Sequence, residues 1–156
     1  MANTYSQINI HVVFTVFGKE NLLLNSFRPD LFKYITGILI NSGEYSLAVN
    51  GFKDHVHAFF ELKPSHCLSD IVKIVKTNSS KWINDNKFVK GKFAWQEGYG
   101  SFSYSRSQRN NVINYIINQE SHHQKQTFKE EYLELLNKFE IEYDPRYLFE
   151  FYEDGK

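Results

Sequence analysis

Two histidines, His55 and His57, stand two residues apart in the segment HVHAFFEL. Side chains of a β-strand alternate between its two faces, so both imidazoles project the same way and Val56 projects the opposite way. Two imidazoles side by side can share one metal ion, and Asp54 precedes them as an acceptor that could orient a ring. Pairs with this spacing also occur by chance on ordinary strands, so a metal site here needs support from other residues.

A tyrosine in a predicted helix is the second candidate for chemistry. In NNVINYIINQESHH the apolar residues cluster on one side at about 100° per residue: Val112, Ile113, Ile116 and Ile117. Tyr115 falls roughly 130° from the centre of this stripe, and Gln119 lies beside it on the next turn. Tyrosines in an aromatic-rich chain are ordinarily core residues. The position of Tyr115 predicts instead that it is exposed, packed on another chain or directed into a site.

Two imidazoles, an amide oxygen and a phenol together suit phosphodiester chemistry. The amide oxygen of Gln119 is a reasonable hard ligand for a divalent ion, or a positioner for phosphate. A metal held by the histidines would polarise the phosphate, and the oxygen of Tyr115 would attack it to form a covalent ester with DNA. This chemistry requires the tyrosine helix to meet the histidine strand, which the sequence alone does not show.

The elements that must position these residues follow from periodicity and from the bounding glycines. Four strands are predicted over residues 6–17, 45–51, 55–62 and 93–105, and two helices over 27–41 and 68–85. The order strand, helix, strand, strand, helix, strand predicts an α+β fold with a split βαβ antiparallel sheet and helices on one face.

The remainder of the chain is predicted to form two C-terminal helices, over about 107–124 and 127–139. The first of them carries the tyrosine. The aromatic stretch YDPRYLFEFY that follows is expected to pack back onto the body or onto a partner. Because there is no internal repeat and no linker, we predict a single domain over residues 1–156.

Composition excludes several classes of protein. An apolar content of 42% and an aromatic content of 17% are too high for a disordered chain. The single cysteine, Cys67, cannot form an internal disulfide, and no cysteine cluster suggests a structural zinc site. Neither a signal-peptide pattern nor an apolar run of membrane-spanning length is found, so we expect a cytoplasmic protein without a membrane partner.

The net charge is zero, but the charges are unevenly distributed along the chain. Residues 73–92 carry six lysines and one acid, whereas residues 129–156 carry nine acids and four bases. Such asymmetry is typical of a basic patch with an acidic tail, although the lysines could equally solvate a helix face.

The candidates for backbone contacts to a nucleic acid are Lys73, Lys76, Lys81, Lys87, Lys90, Lys92, Arg106 and Arg109. Candidates for base stacking are Trp95, Tyr99 and Phe102, with Trp82 and Trp95 equally good candidates for the core.

The ordered set of motifs resembles the single-tyrosine HUH transposases of the TnpA type, from insertion sequences that move as single strands. The set comprises HVH at 55–57, a lysine-rich helix, WQEGYGSFSYS, and Tyr115 with Gln119 in YIINQESHHQKQTFKEEY. The resemblance extends from about Tyr5 to about Phe149, which is nearly the whole chain.

The resemblance implies a ferredoxin-like HUH nuclease fold and a role for each matched residue. His55, His57 and Gln119 would be the metal ligands, and Tyr115 would be the nucleophile. The implied ion is Mg²⁺ or Mn²⁺, whereas two imidazoles on their own would favour a softer ion. The family also implies a homodimer in which the tyrosine helix of one subunit completes the site of its partner.

The implied substrate is single-stranded DNA that forms hairpins at the ends of a mobile element. Cleavage would leave a 5′-phosphotyrosine and a free 3′-hydroxyl, and the attached strand would be rejoined to another 3′-hydroxyl without external energy. We therefore expect a bacterial DNA strand transferase and endonuclease that acts at the nucleoid.

Several alternatives remain open at the level of sequence. A plasmid relaxase or replication initiator would use the same chemistry, but relaxases commonly place the tyrosine before the histidine pair, and many initiators carry a second Tyr or a Lys beside the nucleophile. A domesticated relative that acts on repeated genomic palindromes is harder to exclude. The split βαβ sheet is also a platform of non-catalytic RNA-binding or single-strand-binding modules. A structural dimer with chance histidines is the remaining interpretation.

Overall fold

The computed structural model describes residues 3–18 and 22–152. Its centre is a four-stranded antiparallel sheet with the strand order β2-β3-β1-β4. The strands are β1 (Asn9–Thr15), β2 (Tyr45–Gly51), β3 (His55–Glu61) and β4 (Gly100–Tyr104). Because β3 lies between β1 and β2, the fold is the split βαβ arrangement that the sequence predicts.

Two helices cover one face of the sheet, α1 (Arg28–Asn41) and α2 (Leu68–Asp85). Both bounds agree with the predicted ranges to within one residue. Pro29 stands in the first turn of α1, and Gly43 follows the helix with a φ of 93°, a conformation that glycine adopts without strain. Apolar side chains from both helices, such as Leu31 and Val75, bury the side chains of β1 and β3 that face them.

Three further helices cover the opposite face: α3 (Arg109–Ile117), α4 (Gln119–His122) and α5 (Phe128–Lys138). Short 3-10 turns precede and follow them at Arg106–Gln108 and Pro145–Tyr147. The fold class predicted from the sequence, α+β with helices on one face and C-terminal helices carrying the tyrosine, is confirmed.

Two predicted boundaries are wrong. The fourth strand is shorter than predicted because Gly98, with a φ of 85°, turns the chain out of the extended conformation before β4 begins. Only Trp95 makes an isolated bridge, to Val16, in the preceding part of the range. The single helix predicted over 107–124 is divided at Asn118, whose φ and ψ of −92° and 21° leave the helical region.

The C-terminal aromatic stretch packs back onto the body, as predicted. Phe149 is 9% exposed, and both it and Phe151 contact Phe128 and Tyr132 of α5. This packing holds α5 against the sheet from its outer side. Among the described residues, no helix has the length and apolarity needed to cross a membrane.

Candidate active site

The histidine pair lies on the face of the sheet that α3, α4 and α5 cover. His55 and His57 follow the alternation of β3, while Val56 points into the α1–α2 side of the core. Both imidazoles are fully buried. A third histidine, His11 on β1, shares this face and brings its Nε2 to 2.7 Å from His57 Nδ1. The predicted side-by-side arrangement of the pair is therefore present, in a buried setting.

The tyrosine helix is fastened to this face by a side chain of β2. Asn50 is the antiparallel partner of His57, and its amide donates to the carbonyl oxygens of Ile116 and Ile117 at 3.0 and 2.9 Å. The last carbonyls of a helix lack partners within the helix, so these two hydrogen bonds cap α3 at its C-terminal end. The histidine strand and the tyrosine helix thus meet within one chain.

We expect Asn50→Ala to loosen this contact without unfolding the sheet. Loss of one half-buried and one exposed hydrogen bond should cost about 1–2 kcal/mol of unfolding free energy. Hydrogen–deuterium exchange should rise in the last turn of α3 and stay unchanged in β1 and β3. Asn110→Ala, an exposed change on the same helix, is the matched control and should alter neither quantity.

The orientation of α3 differs from the prediction in one respect. Val112 and Ile116 are buried, but Ile117 is 58% exposed. The buried stripe is therefore centred closer to Tyr115 than predicted, at about 80° from it by the same helical geometry. Tyr115 is half-buried, and its ring stands edge-on to that of His57 with centroids 5.8 Å apart. Of the three predicted placements, the structure shows the tyrosine directed into a site.

Gln119 lies in the same site, one turn beyond the tyrosine. It is fully buried, and its Oε1 lies 3.0 Å from His55 Nε2 and 3.0 Å from His123 Nε2. Its amide nitrogen donates to Glu131 Oε2 at 2.8 Å. The structure therefore brings together all four residues matched to the HUH motif set.

A carboxylate that the sequence did not single out, Glu131, occupies the middle of the site. The hydroxyl of Thr127 accepts from Glu130 N, and the Glu130 carboxylate accepts from Thr127 N, so a capping box fixes the start of α5. Glu131 follows in the first turn and is only 2% exposed. A buried carboxylate surrounded by histidines is rare unless it is paired or binds a metal.

Glu131 connects the tyrosine with the histidines. The hydroxyl of Tyr115 donates to Glu131 Oε2. The other oxygen, Oε1, lies 3.3 Å from His55 Nε2, 3.4 Å from His57 Nε2 and 2.8 Å from His123 Nε2. His122 and His123 lie three and four residues after Gln119, so the period of the predicted helix already places them on the side of Tyr115 and Gln119, and this spacing is the signal that could have identified them. His122 Nε2 lies 3.7 Å from Glu131 Oε2.

Burial and charge give the buried groups different protonation states. Burial lowers the pKa of His55, but the carboxylates of Asp54 and Glu131 outweigh it and raise this pKa to about 10. Burial lowers the pKa of His57, and burial together with His55 lowers the pKa of His123 to about 3. Burial alone would raise the pKa of Glu131, but His57 and His55 lower it to about 2. The neighbouring carboxylates therefore favour the protonated form of His55, and burial favours the neutral forms of His57 and His123, so binding of a metal ion at His55 would release a proton.

The tyrosine side of the site opens to solvent through a cleft of about 230 Å³ between α3 and α5. Residues that line it include Tyr104, Gln108, Tyr115, His122, Glu131 and Lys138. A phosphate that enters this cleft would meet the tyrosine hydroxyl first, with the buried imidazoles behind it. The histidines, carboxylate and amide oxygen are also the donor types that hold divalent ions, and the atoms of His55, His57 and Glu131 lie within 4.8 Å of one another.

Most of the basic residues predicted to contact DNA lie away from this cleft. Lys73, Lys76 and Lys81 are on α2, which packs on the other face of the sheet, and Lys87, Lys90 and Lys92 follow that helix. Lys81 pairs with Asp85 on the surface, and Lys73, Lys87, Lys90 and Lys92 are exposed. Arg106 lies in the turn before α3 and is exposed. Of the predicted DNA-contacting residues that are exposed, it is the nearest in sequence to the tyrosine helix.

Two of the predicted contacts are engaged inside the protein. Arg109 pairs with Glu61 and donates to Asn9 Oδ1, which joins the start of α3 to the sheet. Lys76 is half-buried and donates to the carbonyl oxygens of Gln96 and Gly98 at 2.7 and 2.8 Å. These side chains have structural partners that the charge pattern could not reveal.

We therefore expect Lys76→Met to affect folding more than DNA binding. Removing the ammonium leaves two carbonyl oxygens without their donor, which should cost about 1–3 kcal/mol of unfolding free energy in denaturant titrations. Lys73→Met, an exposed change on the same helix, should cost less than about 0.5 kcal/mol. The assignment would be wrong if Lys76→Met kept full stability but weakened DNA binding.

The predicted stacking residues are mainly core residues. Phe102 is 2% exposed beneath α5, so its ring is not available to a base. Trp95 packs edge-on against Phe14 and donates its indole N–H to Ser79 Oγ at 3.0 Å. Tyr99 is half-buried against the same core.

A split βαβ sheet that carries a buried histidine pair beside a helix-borne tyrosine is the arrangement of the single-tyrosine HUH nucleases. Solved structures share this fold. A protein from Deinococcus radiodurans R1, assigned as a transposase, superposes with a TM-score of 0.61 at 21% identity, over 76% of this chain and 95% of its own. The REP-associated tyrosine transposase bound to a REP hairpin superposes with a TM-score of 0.58 at 13% identity, over 79% of this chain and 73% of its own.

The sequence profile described as "Transposase IS200 like" matches residues 4–119, which extend from before β1 to Gln119. The chain therefore belongs to the IS200-like transposase family, and it is an enzyme of the DNA endonuclease and strand-transferase type. No curated protein sequence matches the chain significantly.

Proposed function

We propose that the chain cleaves and rejoins single-stranded DNA through a covalent 5′-phosphotyrosine, with Tyr115 as the nucleophile and a divalent metal ion held by His55, His57 and Gln119. One observation carries this proposal. The tyrosine hydroxyl and the Nε2 atoms of both histidines converge on a single buried carboxylate within one chain.

The residues present fit a divalent ion. Two imidazole nitrogens and the Gln119 amide oxygen face one another, and His57 Nε2 is a buried nitrogen that has no hydrogen-bond partner among the described residues. When bound, the ion supplies Lewis-acid polarisation of the scissile phosphate and neutralises charge that develops on it. Mg²⁺ and Mn²⁺ are the ions that the family resemblance implies.

The protein's own side chains provide orientation and the nucleophile. Asn50 fixes α3 against β2, and the Tyr115 hydroxyl is held by Glu131 at the floor of the cleft. The phenol oxygen forms a bond to phosphorus as the bond from phosphorus to the 3′ oxygen breaks. One proton leaves the phenol and one is taken up by the released 3′ oxygen. Rejoining is the reverse step with a different 3′-hydroxyl, so the ester bond conserves the energy required.

We propose a DNA hairpin as the substrate. The REP-associated tyrosine transposase, which shares this fold, is bound to a REP hairpin. A single strand that folds into a hairpin supplies both a duplex for shape recognition and an unpaired flank that can enter a narrow cleft. Arg106 and the exposed lysines after α2 are the side chains free to contact its phosphates.

A homodimer with sites completed in trans is a further part of the proposal. In one chain, Tyr115 already lies beside its own histidines, so a trans arrangement requires α3 to leave its sheet and to break the Asn50 contacts. Mixing a Tyr115→Phe subunit with a His57→Ala subunit tests this, because restored cleavage requires the two functional halves to meet across the dimer.

The direct test of the proposed function is a covalent-adduct assay. The purified protein is incubated with a 5′- or 3′-labelled single-stranded hairpin and Mn²⁺, and then run on a denaturing gel. A 5′-phosphotyrosine joins the protein to the DNA fragment on the 3′ side of the cut. We therefore expect a labelled protein band with 3′-labelled DNA and none with 5′-labelled DNA. No labelled protein band is expected in the presence of a chelator or with fully duplex DNA. Absence of the adduct for a panel of hairpins with unpaired flanks would contradict the proposal.

A further inference from the structure

Two buried side chains to which the family resemblance gives no role, His123 and Glu131, direct their ligand atoms toward those of the histidine pair. His123 Nε2 lies 2.8 Å from Glu131 Oε1 and 3.0 Å from Gln119 Oε1. The same two oxygens face His55 Nε2 at 3.3 and 3.0 Å, and Glu131 Oε1 faces His57 Nε2 at 3.4 Å. Three imidazole nitrogens, a carboxylate oxygen and an amide oxygen therefore converge.

Each of the three imidazoles has its outer nitrogen engaged by another group. Asp54 Oδ1 lies 2.7 Å from His55 Nδ1, and the Gln126 carbonyl oxygen lies 2.8 Å from His123 Nδ1. A carbonyl only accepts, so His123 Nδ1 donates and its Nε2 keeps the lone pair. His57 Nδ1 is held by His11 at 2.7 Å. Orientation of Nδ1 by an outer partner, with Nε2 directed inward, is the usual arrangement of metal-binding histidines.

An unpartnered atom provides independent support. His57 Nε2 is fully buried and makes no hydrogen bond within the described part of the chain. Burying a polar atom without a partner costs free energy, and few native sites retain one unless a ligand or water satisfies it. This atom is directed at the convergence point of the other ligand atoms.

We propose that the metal ion is held by three histidines, a carboxylate and an amide oxygen, so that His123 and Glu131 are ligands in addition to His55, His57 and Gln119. This inference rests on the proposed function, because it concerns the ion of the same site. A site with three imidazoles and one carboxylate selects transition metals such as Mn²⁺, Co²⁺ or Zn²⁺ over Mg²⁺. Glu131 would also connect the ion to α5, whereas His55, His57 and Gln119 lie only on β3 and α4.

His122 lies at the other oxygen of Glu131. Its Nε2 is 3.7 Å from Glu131 Oε2, is buried without a hydrogen-bond partner among the described residues, and lies with the ligand atoms of His123 and Glu131 within 4.8 Å of one another. The proposed set leaves His122 out because the other three imidazoles face Oε1, and the ring of His122 stands edge-on to Tyr115 at the cleft. His122 is the neighbour of His123 in sequence and has the same imidazole side chain. Its substitution is therefore a matched control for the substitution of His123.

The number of coordinating imidazoles is measurable in the unmodified protein. Histidine ring nitrogens are labelled with ¹⁵N, and their long-range ¹H–¹⁵N spectra are recorded before and after addition of one equivalent of Zn²⁺. We expect three Nε2 resonances to move to the metal-bound region, while the resonances of His66 and His122 stay in place. Two moving resonances would overturn the inference and leave the proposed function intact.

Single substitutions identify which histidine gives each shifted resonance, and they allow the affinity for a metal ion to be compared between variants. Binding of Co²⁺, followed by its visible absorption, is compared for His123→Gln, Glu131→Gln and the controls His122→Gln and Glu134→Gln, each checked for folding by circular dichroism. We expect a weakening of at least roughly 10–100-fold for the first pair and less than about 3-fold for the controls. Wild-type affinity in folded His123→Gln would refute the added ligand. Absence of any metal binding by the wild-type protein would instead contradict the proposed function itself.

Discussion

Tyr115→Phe is expected to abolish formation of the covalent DNA adduct while leaving the fold and hairpin binding in place. The change removes the nucleophilic oxygen, and loss of a nucleophile typically lowers turnover by on the order of 10⁴-fold or more. Stability should change little, because the ring keeps its contacts with His57 and His122 and only the hydroxyl contact to Glu131 is lost. The measurement is the fraction of labelled DNA that migrates with the protein on a denaturing gel.

Tyr104 is the appropriate comparison, because among the described residues it is the other phenol that lines the cleft. Burial raises the pKa of Tyr104 to about 12, so its phenolate is harder to form than that of an ordinary tyrosine. Tyr104→Phe should therefore retain the adduct. If Tyr104→Phe lost the adduct and Tyr115→Phe kept it, the nucleophile would have been assigned to the wrong residue.

His57→Ala is expected to remove metal binding and cleavage together. The substitution deletes one of the converging imidazole nitrogens and leaves the buried carboxylate of Glu131 with one fewer neighbour. We expect the dissociation constant for Mn²⁺ to rise by at least roughly 100-fold, and adduct formation to fall by on the order of 10³-fold. Isothermal titration and the gel assay, run on the same preparation, measure the two effects.

The cavity left by a buried imidazole also lowers stability, so a second variant is required. His57→Ala should cost about 2–4 kcal/mol, which thermal unfolding measures. His66→Ala removes a histidine that pairs with Glu44 outside the cluster, and it should keep both metal binding and the adduct. Metal-dependent cleavage that survives in folded His57→Ala would show that this histidine is not a ligand.

The sequence predicts the histidine face for a simple physical reason. Alternation along a strand places His55 and His57 on one face whatever the tertiary structure is, and the structure shows both there. The helical positions of Tyr115 and Gln119 follow in the same way from the period of a helix. In both cases a local geometric rule fixes the relation between residues that are close in sequence.

Relations between distant residues are not determined by such rules. Glu131 is one of nine acids after residue 128, and the one signal that distinguishes it is helical spacing, because it stands three residues after Phe128 and four before Leu135, at the edge of the apolar stripe of α5. The capping box at Thr127 is a local pattern that fixes where α5 begins, but the place of Glu131 beside the histidines follows from the packing of α5 against the sheet, which is a tertiary fact. His11 likewise joins the site only because the register of β1 against β3 brings it beside His57.

The burial of the apolar residues of α3 is also only partly predictable from helical periodicity. Its four apolar residues are equivalent in the sequence pattern, but the sheet buries Val112 and Ile116 and leaves Ile117 exposed. The choice between them depends on how Asn50 and β2 meet the helix. The charge pattern also misplaces Lys76 and Arg109 among the DNA contacts. The sequence does not show which basic side chains find hydrogen-bond acceptors inside the protein.

The central claim is that Tyr115 becomes covalently attached to the 5′ end of the cleaved strand. Peptide mass spectrometry of the purified adduct, after nuclease trimming, tests this most directly because the chain contains ten tyrosines. We expect the nucleotide mass to map to Tyr115, joined through a 5′-phosphate, with the other tyrosines unmodified. A nucleotide on any other residue, or attachment through a 3′-phosphate, would contradict the mechanism.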